Sequence, residues 1–317
     1  MSEAHVYKGS PGERIVRHTL ARTSNPLRTA QILVKITHSG ICGTDEHYKT
    51  QDIVLGHESV VVVEAVGDRV GWGYCHGSCK ACSQCEGGKQ LYCNLRQLYG
   101  STSTDQGSLA SNAIWDADDF LFLIPDSITS AVAAPLICTG AAVYSALSAV
   151  QVRWSDRVGV IGIGELEHLV IQFTAKMRCQ VVTFSSSLNK QADAMAFGTT
   201  EFHCLTPPDG NEMKEHPEPV DYLLLAAAQQ PDWNKTIPLA EGLRMPYMEL
   251  VMNAISIRGS LPAPPRLHQE TLRFAASHKV LPLDQTFSFT EDGINNAMEK
   301  LRLGKIRYRA VVAREKR

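Results

Sequence analysis

The spacing of apolar and polar residues changes character as the chain runs from its first half to its second. Over Gln31–Thr37 the two kinds alternate among β-branched residues, and over Ser59–Val66 they merge into an apolar run. Both segments are closed by glycine and predict strands. From Tyr74 to Tyr99 there is no period, only glycine, cysteine and polar residues, which predicts a loop that needs a staple to fold. Ser127–Ala149 turns helical with a break at Pro135. Ser127 to Val152 carries no charge and is long enough to cross a bilayer, but Pro135, Gly140 and many Ala, Ser and Thr residues keep its apolarity modest, so it predicts a buried segment.

After Trp154 strand and helix patterns alternate. Strands are predicted at Asp156–Ile161, Cys179–Phe184, Thr200–His203, Val220–Ala226 and Ile255–Arg258, with helices at Glu165–Met177 and Lys190–Phe197, the latter stopped by Gly198. This rhythm predicts a parallel sheet covered by helices. Beyond it, Thr271–Ser277 reads as helix, and Ile294–Leu303 as an amphipathic helix closing onto a strand at Arg309–Val312.

With 31 basic against 33 acidic residues the net charge is −2, and the only charge block is the short Arg314–Arg317 tail. That excludes a polyanion funnel: no nucleic-acid partner and no membrane-surface partner is expected. The first residues, Met1–Lys8, show no apolar run behind a basic start, so a cytoplasmic protein is expected. Nine cysteines are too few for a disulfide scaffold in 317 residues, and four fall between Cys79 and Cys93. In a reducing compartment that pattern means metal or catalysis. Cys79-x2-Cys82-x2-Cys85-x7-Cys93 places four thiolates on one loop, enough to fill a zinc tetrahedron and make a structural site. Cys75 stands four residues before Cys79 and competes as a ligand. No basic helix follows the cluster, which argues against a nucleic-acid finger.

That spacing, the preceding Gly40-Ile-Cys-Gly-Thr-Asp45 and Gly56-His-Glu58, and the later Gly162-x-Gly164 together resemble the zinc-dependent medium-chain alcohol dehydrogenases. Phe184-Ser-Ser-Ser187, Ile257-Arg-Gly-Ser260 and Arg307-Tyr-Arg309 are similar to the cinnamyl-alcohol-dehydrogenase-like branch. The resemblance implies an α/β fold of two domains: a GroES-like, β-rich catalytic domain carrying zinc at residues 1–152 and 283–317, and a Rossmann-type dinucleotide-binding domain at 153–282. It implies two zinc ions per subunit, the catalytic one on Cys42, His57 and Cys138 with an open fourth position, and Glu58 able to swing onto the metal. Thr44 resembles the family's hydroxyl relay, with His47 passing the proton onward and Asp45 beside the ligands. The implied reaction is hydride transfer between NADP(H) and an aldehyde, ketone or alcohol, zinc polarising the carbonyl, in a homodimer. The substrate pocket is expected to draw on scattered residues such as Trp72, Tyr99 and Trp115.

The nucleotide turn departs from the family. Gly162-Ile-Gly164-Glu-Leu-Glu167 keeps two glycines, with Leu166 in the turn, but has Glu167 where the third glycine belongs and Glu165 beside it. The chain also passes from Val66-Gly67 into Asp68 about ten residues sooner than the family pattern, and between Trp233 and Leu243 it lacks the usual glycine-containing strand. These departures keep a second reading open, a non-redox zinc protein that has lost nucleotide-dependent activity. Past the turn, Ser185, Ser186 and Lys190 stand where NAD enzymes carry an acid, which favours NADP.

Overall fold

The computed structural model describes residues 2–22, 27–117, 120–206, 218–226, 252, 256, 258–260 and 262–314. Its elements begin with β1 (Ser2–Lys8), β2 (Val16–Arg22), β3 (Gln31–Ile41), α1 (Gly43–Tyr48), β4 (Ser59–Val63), β5 (Arg69–Gly71) and β6 (Cys75–Gly77). Next come α2 (Ser83–Glu86), β7 (Gln97–Leu98), β8 (Asn112–Asp116), β9 (Phe122–Leu123), α3 (Ser130–Pro135) and α4 (Ala141–Ala149). The alternating segment supplies β10 (Arg157–Ile161), α5 (Glu167–Lys176), β11 (Gln180–Ser185), α6 (Gln191–Phe197), β12 (Glu201–Cys204) and β13 (Tyr222–Leu225). The chain closes with α7 (Pro265–His278), β14 (Asp284–Ser288), α8 (Glu291–Arg302) and β15 (Arg309–Ala313). Two units result, Met1–Ser145 with Pro262–Arg317, and Ala146–Leu261.

In the first unit a seven-stranded sheet runs β14-β15-β3-β4-β5-β9, with β8 also on β3. The eleven-residue β3 is long enough to take two partners along one edge, β8 on Gln31–Lys35 and β15 on His38–Ile41, while β4 covers the other edge. Its register slips at Thr37, between Ile36 and His38. Such a bulge bends a strand and re-aims the side chains that follow it. Alternation puts Val34 and Ile36 into a core with Trp72, Trp115 and Val312. Residues Pro265–His278, expected on the nucleotide side of the chain, fall in this first unit. The reason is contact: α7 stacks His268 flat on Phe122 at 4.3 Å, and Gln269 exchanges hydrogen bonds with the backbone of Leu123. Thr290 caps α8 by accepting from the Gly293 amide at 3.1 Å, with acids in the first turn and bases in the last, as the helix dipole favours.

The second unit is a parallel sheet ordered β12-β11-β10-β13. That is the 3-2-1-4 order of a doubly wound dinucleotide fold. Ile161, Val182 and Phe184 form its apolar heart. The strand expected at Ile255–Arg258 and the departure noted between Trp233 and Leu243 lie wholly or largely outside the described residues. Ser130–Ala149 is the one described helical stretch long and apolar enough to cross a membrane, and most of it is buried inside the protein. Pro135 ends α3, and the break continues as a widened π turn at Leu136–Gly140.

Candidate active site and metal centres

Strand register assembles the first donor set. Ser39 pairs with Ser59 and the Gly40 amide donates to the Glu58 carbonyl at 3.0 Å, so the end of β3 delivers Cys42 opposite His57. On the other edge Ile41 pairs with Ala310, which sets Arg309 beside Glu58. Cys138 arrives on the π turn, a helix irregularity that recurs at functional sites. One donor atom from each of Cys42, His57, Glu58 and Cys138 lies within 4.8 Å of the others.

Local chemistry then fixes each ligand. Cys42 caps α1, its sulfur accepting from the Thr44 amide at 3.3 Å while Asp45 Oδ2 accepts from the Cys42 amide at 3.0 Å. Asp45 Oδ1 accepts from Tyr99 Oη at 2.8 Å, from the Gly56 amide at 3.2 Å and from His57 Nδ1 at 3.2 Å. With Nδ1 occupied, the ring turns Nε2 toward Cys42 Sγ, 3.4 Å away. Tyr99 stacks on the imidazole at 4.8 Å. A carboxylate behind a ligating histidine fixes its tautomer and its orientation.

The set fits a metal. The Cys138 thiol facing Cys42 holds the Cys42 thiol well below its ordinary value, against the opposing effect of burial, and Cys138 is pushed correspondingly up. Burial opposes the His57 cation, but Asp45 and the Cys42 thiolate outweigh it and raise the imidazole. Glu58 is fully buried; desolvation pushes its carboxyl to about 7 although the Arg309 guanidinium pulls it down. One of its oxygens pairs with Arg309, while Oε2 has no hydrogen-bond partner. A buried acceptor left open among two sulfurs and an imidazole nitrogen is the donor chemistry of a cation site. Gly40 makes the arrangement possible, because a Cβ there would overlap Glu58 Oε2 at 1.7 Å.

Cys79, Cys82, Cys85 and Cys93 form the second set, again within 4.8 Å of one another. Sulfurs around a zinc at about 2.3 Å stand about 3.8 Å apart; the Cys82–Cys85 and Cys79–Cys85 pairs are at 3.6 and 3.9 Å. Backbone donors, first the Ala81 amide, draw the Cys79 thiol down to about 6. Cys75 is outside the set: it packs with Leu91 and Phe120, and burial pushes its thiol up to about 11.

Thr44 is half-buried on the first turn of α1, and His47 is exposed three residues on, a spacing that puts both on one helix face. Trp72, Tyr99 and Trp115 do not line a pocket. All three are buried in the first unit's core, Trp72 stacked on Trp115 at 4.3 Å, because large aromatics hide most apolar area there. Tyr99 instead serves Asp45, and Arg309 serves Glu58, partners 54 and 251 residues apart in sequence that no spacing rule could signal.

In the second unit Gly162, at φ +92°, turns the chain out of β10 into Ile163 and Gly164. Leu166 occupies the N-cap of α5 without a side-chain cap bond. Ser185 ends β11 buried, Ser186 is exposed, and Lys190 reaches back to donate to the Ile163 carbonyl at 2.7 Å. Glu167 is buried, its Oε2 accepting from the Gly164 amide at 3.1 Å. In that position the carboxylate takes the amide and the space above the glycine that a dinucleotide diphosphate uses, so the diphosphate fits only once Glu167 has moved.

Comparison with known proteins follows the same lines. Residues 28–126 match the family described as the alcohol dehydrogenase GroES-like domain. The chain is 30% identical to a probable formaldehyde dehydrogenase, AdhA, of Bacillus subtilis, the match covering 90% of each. It is 29% identical to probable cinnamyl alcohol dehydrogenase 2 of Picea abies over 89% of this chain and 87% of that one. A solved cinnamyl alcohol dehydrogenase from Sorghum bicolor superposes with a TM-score of 0.86 at 24% identity over 98% of both chains. Nothing in these likenesses favours the non-redox reading. The chain belongs to the zinc-dependent medium-chain alcohol dehydrogenase family and is an oxidoreductase.

Proposed function

We propose that this enzyme interconverts aldehydes or ketones with their alcohols, using NADP(H), one zinc held by Cys42, His57 and Cys138, and a second held by Cys79, Cys82, Cys85 and Cys93. The observation that carries the reading is the open character of the first donor set, where Glu58 Oε2 is buried without a partner beside two sulfurs and an imidazole. Zinc bound there supplies a Lewis acid for the carbonyl oxygen.

The chain's own groups do the rest. Asp45 and Tyr99 lock His57 so that Nε2 stays aimed at the metal position. Arg309 holds Glu58 by one oxygen and leaves the other for the cation. Thr44 takes or returns the substrate proton, and His47, on the solvent side of the same helix face, passes it to water. Ser185, Ser186 and Lys190 supply hydroxyls and an ammonium, with no carboxylate among them, which supports a cofactor carrying a 2′-phosphate. The family resemblance extends the proposal to a homodimer.

Elemental analysis of the purified protein should give two zinc ions per chain. His57→Ala should leave one zinc, the fold intact, and no measurable aldehyde reduction; Thr44→Ala should keep both and slow turnover roughly 10²-fold. One zinc in the wild-type protein, or activity persisting in His57→Ala, rejects the assignment.

A further inference from the structure

The departure at the third glycine has a specific geometry. A Cβ built on Gly164 would stand 2.8 Å from Glu167 Oε2, and one built on Gly162 would stand 3.7 Å from Oε1. The carboxylate therefore lies over the bare faces of both glycines, the surface that in a dinucleotide turn is kept empty for the pyrophosphate. It also accepts the Gly164 amide, one of the donors such a turn offers. The residue is 5% exposed, so this is a buried carboxyl group seated at the start of the ten-residue α5.

We propose that Glu167 is the resident occupant of the diphosphate cradle, and that a dinucleotide enters only as Glu167 takes a proton from solvent and yields its place to the phosphates. The inference rests on the nucleotide reading above. An ionised carboxylate and a diphosphate compete for the same amides and repel each other. Like charges about 5 Å apart at an effective dielectric near 20 weaken binding on the order of a hundredfold. Protonation removes that repulsion and frees the side chain to turn away.

The surroundings set where this happens. Burial raises the Glu167 carboxyl, while the amides of Glu167, Gly164 and Leu166 and the Lys190 ammonium oppose the rise. Lys190 is fixed to the same turn through the Ile163 carbonyl, Glu165 sits half-buried two residues before, and His168 donates from Nδ1 to the Gly164 carbonyl at 3.2 Å. Of the elements packed on α5, β10 has only Arg157, at its far end, β11 has no ionisable side chain, and α6 has Asp193. Bringing in the phosphates raises the carboxyl further. Between its free and its bound pKa, nucleotide affinity falls by up to about tenfold for each unit of rising pH.

The test is calorimetric titration of NADPH into the whole protein, wild-type and Glu167→Gln, from pH 6 to pH 8 in two buffers of different ionisation enthalpy. Wild type is expected to take up a proton on binding and to weaken as pH rises. Glu167→Gln keeps the shape without the charge, so it should bind roughly tenfold or more tighter at pH 8 and lose that share of proton uptake. The 2′-phosphate of NADPH titrates near pH 6 and contributes equally to both proteins, so the difference between them belongs to Glu167. Glu167→Gly repeats the comparison should glutamine fold poorly. Equal affinity and equal proton uptake in wild type and variants overturn the gate while leaving the nucleotide reading in place. Absence of binding by wild type and both variants overturns the nucleotide reading and the gate with it.

Discussion

The two donor sets of the first unit are built in opposite ways. Cys79, Cys82, Cys85 and Cys93 come from one loop with little core of its own, and all four positions are sulfur. Cys42, His57, Glu58 and Cys138 come from a strand end, the entry to the next strand and a π turn; the last lies 96 residues from the first, and the set mixes sulfur, nitrogen and oxygen. In the loop, on the proposed reading, a metal would be the reason for the structure. At the other set the sheet register brings the donor groups together, so loss of a metal there is expected to leave the fold in place.

The largest expected effect follows directly. Cys85→Ser should remove one zinc together with the loop's structure and the protein's solubility, because binding energy at such a site is folding energy. Zinc content and thermal unfolding measure it; a soluble, cooperatively unfolding Cys85→Ser protein would break the contrast.

A smaller effect is expected behind the mixed set. Asp45→Asn keeps the size but loses an acceptor for either the Cys42 amide or the group of donors at Oδ1. Zinc affinity there should fall 10- to 100-fold with the four-cysteine zinc unchanged, as read by competition with a chelator. Equal weakening of both zincs would mean that the two sites are not independent.

The smallest concerns the sheet and helix that support the mixed set. His268 is buried against Phe122, and burial lowers its imidazole to about 4. The unfolded chain binds its proton near pH 6.5 and the folded one near 4, so folding stability is present above 6.5 and is lost as pH falls through that window. Between pH 7 and pH 5 the loss from this group is roughly 2 kcal/mol. Denaturant unfolding of His268→Gln at the two pH values should show a flatter dependence than wild type; an unchanged slope would remove His268 from the acid response.

Much of the architecture was legible beforehand because it rests on short-range order. The βαβ rhythm after Trp154 follows from apolar spacing, and the observed β10 to β13 lie within or beside the expected segments. The nucleotide turn announced both its glycines and its anomaly, since each is a local pattern. Cys42, His57 and Cys138 were reached only through resemblance, because a lone buried cysteine carries no signal of what it faces. Tyr99 reads in sequence as pocket lining but supports Asp45 from the core, since an aromatic residue looks the same in sequence in either place.

By itself the sequence determined most of the elements and the four-cysteine loop, because periodicity and ligand spacing are properties of neighbouring residues. Tertiary structure alone decided which distant groups meet. The pairing of Ser39 with Ser59 and of Ile41 with Ala310 sets Cys42, His57, Glu58 and Arg309 around one point, and the turn out of β10 folds Glu167 back over its own glycines. Register in a sheet and the direction of a buried side chain are settled by packing the whole unit at once, and no stretch of sequence contains that information alone.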